Sequence, residues 1–430
     1  MTRVMRAAAG EQLWHAIRDT AESADRATLQ RAAGCLAVGL ADMAASARDS
    51  IHHGAARVLA AAPGRCTVTG ADEGAHLTGA ATANAYLMHA RLTDDSFMVA
   101  AHPGLTVIPV ALAAAEHALR TGSGSVDGEH LLRAVIGGYE CACLLAERLL
   151  PEVSRRGWRV TAVIAPLAAA ATAALVLRLS DEVACSALGL ASAGTGGPLG
   201  VVSTEGDGWR LQPALAVQAG VSAALAAAAG LRSAADALTA EHSFYALFGG
   251  VLGAEDRYPV RSPAIHRVTF KRYPVAMFGQ SIFDAIQTLP PIAGIADRID
   301  VEVAPFAAQY GNQRSGSTTS IASVEGITLA AVQRFLPDLD IGSGTRRVPV
   351  RVSGDSVLPD LAARIELTLT DGRRFSVTGD GDTSGWQIGD FADHCRGLLG
   401  AEGTLLCDAA AALLEPTGID RLLELWRATR

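Results

Sequence analysis

Between residues 12 and about 252 the chain keeps returning to one pattern: an alanine-rich apolar segment with helical spacing, closed by a turn bearing glycine or proline. Breaks fall at Gly64, at 121–128, at Pro151 and at 194–208, and the clearest periodic segments are 105–119, 130–149, 161–177 and 213–231. Half of the residues are hydrophobic but only 5% are aromatic, so alanine carries much of the apolar content and helices can pack closely. With 430 residues the chain exceeds a comfortable single core. Residues 1–260 are therefore expected to form an all-helical domain. Beyond it the composition changes to short β-rich runs at 299–303, 347–352 and 363–369, with Thr370-Asp371-Gly372-Arg373 reading as a hairpin turn. Residues 264–389 form the expected α+β domain, 259–263 the linker, and 390–430 a helical return to the first domain. The fold class is mainly α.

A net charge of −8, with no basic stripe interleaved with aromatics, argues against a nucleic-acid partner and leaves a small molecule or a protein. The seven cysteines show no paired CxxC spacing and read as buried thiols of a reducing, cytoplasmic compartment; no metal site is expected from them. Residues 1–12 carry arginines but no apolar stretch of signal-peptide type. The apolar run 160–177 is alanine-rich and interrupted by Pro166, which favours a buried core helix over a membrane span.

Of the 36 basic side chains only Lys271 is a lysine. A lysine offers a compact amine that guanidinium cannot replace, so Lys271 is either a chemical group or a chance survivor of a strong arginine bias. Asp94-Asp95-Ser96 precedes His102-Pro103-Gly104, and an apolar helix follows directly. Proline suits the first turn of that helix, whose dipole biases His102 toward the neutral form that a general base requires, with two carboxylates close by. The structural alternative is a helix cap with a turn histidine. Arg155-Arg156-Gly157-Trp158-Arg159 and Trp209-Arg210-Leu211-Gln212 each open an apolar helix, either as an anion cradle or as a solvated basic turn. The glycines at 194–197 lack the strand and the spacing of a nucleotide fingerprint, so no nicotinamide, flavin or nucleotide cofactor is implied.

Taken together, Asp94-Asp95-Ser96, His102-Pro103-Gly104, Gly157-Trp158-Arg159-Val160-Thr161, Ala216-Val217-Gln218-Ala219-Gly220 and Phe270-Lys271-Arg272-Tyr273-Pro274 resemble, in order, motifs of the MmgE/PrpD family. That family includes methylcitrate dehydratase, cis-aconitate decarboxylase and iminodisuccinate epimerase. The resemblance implies a large helical domain with a smaller α+β lid domain, a site between them, a homodimer and no cofactor.

Several positions depart from the family pattern. The acidic run lacks its first residue, and Met98 replaces a histidine. Arg159 stands where a catalytic histidine is expected. Trp209 and Gln212 replace a lysine and a histidine, and Ala276 and Gln280 replace histidines after Lys271. The implied pocket is more apolar than that of a tricarboxylate enzyme.

The leading expectation is a cofactor-independent lyase or isomerase acting beside a carbonyl or carboxylate. His102 would move the proton, Asp94 or Asp95 would assist it, and Lys271 with Arg159 would stabilise negative charge. Ser96, Met98, Trp158, Trp209, Arg210, Gln212, Tyr273, Met277 and Gln280 are the candidate substrate contacts. Two other readings keep the fold: a cyclase of specialised metabolism whose apolar cavity, lined by Trp158, Trp209, Met98 and Met277, folds its substrate, and a ligand-binding relative without catalysis.

Overall fold

The computed structural model describes residues 2–122, 125–202, 206–249, 262–311, 323–343 and 347–429; the expected linker at 259–263 lies largely outside them. Helices dominate the chain from Thr2 to Phe248, where the expected all-helical domain also holds a short strand, Pro63–Cys66, bridged to Ala75, and the helix starts are written in the sequence. Asp25 caps Arg26–Ala47 by accepting from the Thr28 amide at 2.8 Å, and Asp127 caps Gly128–Leu149 in the same way through His130. The helix Arg26–Ala47 is buried almost throughout and packs against Leu77–Ala90, Gly128–Leu149 and two C-terminal helices, so most of its circumference is apolar.

Alanine and glycine set the spacing of these helices. A Cβ on Gly220 would stand 2.2 Å from the Pro166 carbonyl oxygen, so Gly208–Ala228 can lie against Val160–Val176 only with glycine there. Val160–Val176 is a buried core helix despite Pro166. Among the described residues Gly208–Ala228 is long and apolar enough to cross a membrane by length and composition, and half of its most apolar window is buried inside the protein.

The sheet forms in the second half of the chain. Gly294–Val303 is central, pairing in parallel with Leu339–Asp340 and Val350–Gly354 and antiparallel with Ala362–Leu369, which continues through the 370–373 turn into antiparallel Arg374–Asp380. Alternate residues Ile299, Val301 and Val303 face a second core with Ile282, Phe283, Ile327 and Ile365. Helices Ile388–Leu399, Ala401–Ala411 and Gly418–Ala428 then return to the first core, to which they contribute Phe391, Cys395, Leu406 and Trp426.

Lys271 lies on the seam between the two cores: Phe270 belongs to the helical core and Tyr273 to the α+β core. Across that seam runs the 97–101 loop, with Phe97 and Ala101 in the first core and Val99 packed on the second. The two segments are joined where Ser96 and Thr269 exchange both backbone hydrogen bonds at 2.8 Å.

Candidate active site

The end of helix Leu77–Ala90, the loop after it and the 269–271 segment converge on Asp94. Its Oδ2 lies 2.9 Å from His89 Nδ1 and 3.1 Å from His102 Nδ1; its Oδ1 accepts from Lys271 Nζ at 3.2 Å. Lys271 also donates to the backbone carbonyls of Asp94 and, at 3.3 Å, Asp95. Three N–H groups thus meet three oxygens, which saturates the ammonium. Burial alone would raise the Asp94 carboxyl, but Lys271, His89 and His102 outweigh it and hold the group well below the ordinary carboxylate range.

The proton positions of both histidines follow from their neighbours. His102 Nδ1 lies 3.0 Å from the Asp95 carbonyl as well as 3.1 Å from Asp94 Oδ2, so Nδ1 carries the proton and Nε2 keeps its lone pair. His89 donates from Nδ1 to Asp94, and its Nε2 accepts from Arg159 at 2.7 Å. Burial lowers both histidines, His89 to about 3, against the pull of Asp94. Both are neutral at physiological pH. The side chains of His89, Asp94 and Lys271 are fully sealed, whereas that of His102 keeps 10% of its surface exposed. Within this cluster His102 alone reaches outward.

Asp95 faces the other way. Its Oδ2 accepts from the Tyr139 hydroxyl at 2.5 Å and its Oδ1 from the Gly104 amide at 2.9 Å, and burial pushes its carboxyl up to about 6. It anchors the start of helix Gly104–Thr121 and so the reach of His102, which ends just before that helix. A Cβ on Gly104 would stand 2.6 Å from Asp95 Oδ2 and 2.7 Å from the Tyr139 oxygen. Gly104→Ala should therefore cost ~1–3 kcal/mol of stability by overpacking, visible as a lowered denaturant midpoint; an unchanged midpoint would mean that the carboxylate does not hold this helix start.

Behind Asp94, Thr93 donates to the buried Asp42 at 2.7 Å, and burial raises the Asp42 carboxyl well above its usual range. The His89 ring meets His102 edge-on at 4.8 Å and Trp209 at 5.2 Å. The sequence reading missed His89, Tyr139 and Asp42. A signal existed for His89, a histidine ending an apolar helix five residues before the acidic run; Asp42 and Tyr139 are scattered through long helices and carry none.

The other candidates are placed as follows. Arg159 is buried, donating to the Trp209 carbonyl at 2.5 Å and to His89, so it steadies His89. Arg210 stacks over Trp209 at 4.1 Å, bonds the Ala90 carbonyl at 2.7 Å and pairs with Asp207. Ser96 is fully buried, and Met98 is exposed with a positive φ of 46° on the seam loop. Trp158 packs edge-on against Phe248, and Gln212 donates to the Pro198 carbonyl at 3.1 Å.

Tyr273, Met277 and Gln280 are not brought to the cluster. The Tyr273 hydroxyl donates to Gln287 at 2.6 Å, and Met277 is buried in a short helical turn. Gln280 accepts from the amides of Arg272 and Tyr273 and donates to the carbonyls of Tyr273 and Val275, so it is spent in folding the 272–275 turn. Arg155 and Arg156 pair with Glu152 rather than forming an anion cradle.

His89, Asp94 and His102 could also hold a metal ion, since their ligand atoms lie within 4.8 Å of one another. Lys271 Nζ, however, stands 3.2 Å from Asp94 and 3.4 Å from His102 Nδ1, so a divalent ion would have to displace a cation already bound there.

The MmgE/PrpD N-terminal domain model matches residues 14–254, more than half of the chain, including the segments that carry Asp94, His102 and Arg159. The chain belongs to the MmgE/PrpD family. Comparison with curated proteins returns no match. Membership supports a lyase- or dehydratase-type enzyme, and in this MmgE/PrpD protein the Asp94 cluster sets a neutral imidazole against a buried carboxylate.

Proposed function

We propose that the protein is a cofactor-independent lyase or isomerase that moves a proton beside a carbonyl or carboxylate, on a substrate other than the usual tricarboxylates. The observation that carries this is the lone pair of His102 Nε2, on the one side chain of the cluster that is not fully sealed, with Nδ1–H tied to Asp94 and Asp95. Nε2 takes a proton from the carbon beside the carbonyl, and the electron pair left behind passes to the carbonyl oxygen. In elimination that pair then expels a group from the next carbon, which leaves with the proton held by His102; in isomerisation of an unsaturated substrate His102 returns the proton to the far carbon of the conjugated enolate, so that the double bond moves. Asp94 stabilises the imidazolium formed in between, as the buried carboxylate of a catalytic dyad does.

Lys271 and Arg159 act through Asp94 and His89 rather than on the substrate. Lys271 Nζ donates to Asp94 and Asp95, Arg159 Nη1 and Nη2 to Trp209 and His89, and Arg210 Nε and Nη1 to Ala90 and Asp207. With these cations engaged inside the protein, the described part of the site favours a substrate with little negative charge. Purified protein incubated with methylcitrate or with cis-aconitate is expected to form no product at an enzyme-like rate. Robust turnover of either acid would sink this substrate reading.

A further inference from the structure

Lys271 owes its position to contacts that come from far away in the chain. Arg31, on helix Arg26–Ala47, is 7% exposed and has no ion pair among the described residues. Its Nη2 donates to the Val268 carbonyl at 2.8 Å, its Nη1 to the Trp386 carbonyl at 2.8 Å and its Nε to the Ile265 carbonyl at 3.3 Å. The guanidinium lies 5.0 Å from the Phe270 ring and 5.2 Å from the Phe391 ring, and Phe270 stacks on Trp386 at 5.1 Å. On the same segment Thr383 Oγ1 accepts from the Phe270 amide at 2.6 Å and donates to its carbonyl at 2.8 Å. A guanidinium buried without a carboxylate is costly, and an apolar side chain would fill the space between the two rings at less cost. What an apolar side chain cannot do is hold three carbonyls from two distant segments in one plane.

We infer that Arg31, with Thr383, is a positioning residue for Lys271: it fixes the 265–270 segment and the 383–391 return so that the ammonium reaches Asp94 and Asp95. The inference deepens the reading of the proposed site by naming what sets its lysine. Its test needs no substrate, so failure of the proposed chemistry would leave it standing.

Because the chain contains one lysine, protein labelled with [15N]lysine gives a single side-chain ammonium signal. In the wild type that signal should be visible at neutral pH and slow to exchange with water, since Lys271 is fully buried. In Arg31→Met the exchange should quicken by about tenfold or more, or the signal should vanish, while circular dichroism stays native. Arg133→Met is the control: Arg133 also grips three carbonyls, those of Ala21, Glu22 and Ala24, but none of them belongs to the 265–270 or 383–391 segment, so its loss should leave the Lys271 signal unchanged. If Arg31→Met fails to fold, the milder Thr383→Val carries the test and should show the same quickening. A folded Arg31→Met with wild-type exchange, or, where that variant does not fold, a wild-type signal in Thr383→Val, would overturn the inference, as would equal disturbance in Arg133→Met.

Discussion

His102→Ala lowers turnover of the physiological substrate by on the order of a hundredfold or more, because it removes the imidazole lone pair that the site presents. The pH profile of the wild type carries the same signature. Burial lowers the His102 pKa, so the neutral base persists below pH 6.5 and activity is lost only as pH falls through the depressed value. Steady-state rates between pH 5 and 8, once a substrate is in hand, measure both. Wild-type turnover in His102→Ala would remove proton transfer from the mechanism and favour a cavity that works by shape; Trp209→Ala would then be the damaging change.

The largest effect on stability is expected at Lys271. Lys271→Met leaves the fully buried Asp94 carboxylate without its cation and should cost ~3–5 kcal/mol in denaturant unfolding. Adding Asp94→Asn should recover part of that loss, since the uncompensated charge is then gone. Lys271→Arg keeps the charge but places a larger, planar group where three oxygens surround a compact ammonium, so it should also impair the enzyme. Lys271→Met with wild-type stability would show that the ion pair does not hold the seam.

Much of this architecture was legible because periodic alanine and the 370–373 turn speak locally. The helical scaffold and the hairpin follow from pattern, as does the nearness of Asp94 to His102 across a short loop. Lys271 stood out through arginine bias, but nothing local could show that its ammonium would be saturated inside the protein. The roles of Arg159 and Gln280 were hidden for the same reason. Each is a polar residue at a segment end, the position a substrate contact would take, and tertiary structure spends each on backbone or a neighbouring ring instead. Arg31 and Tyr139 were out of reach altogether, because their partners lie 234 to 355 and 44 residues away.

The claim at the centre is that His102 is a neutral imidazole, protonated on Nδ1, with Nε2 free. Two-dimensional 15N spectra of [15N]histidine-labelled protein, with His102→Gln used to assign its signals, read the protonation of both ring nitrogens directly as pH is varied. A bare Nε2 and a protonated Nδ1 at pH 7, with titration below pH 6.5, is the expected result. An imidazolium at pH 7, or a proton on Nε2, would contradict it.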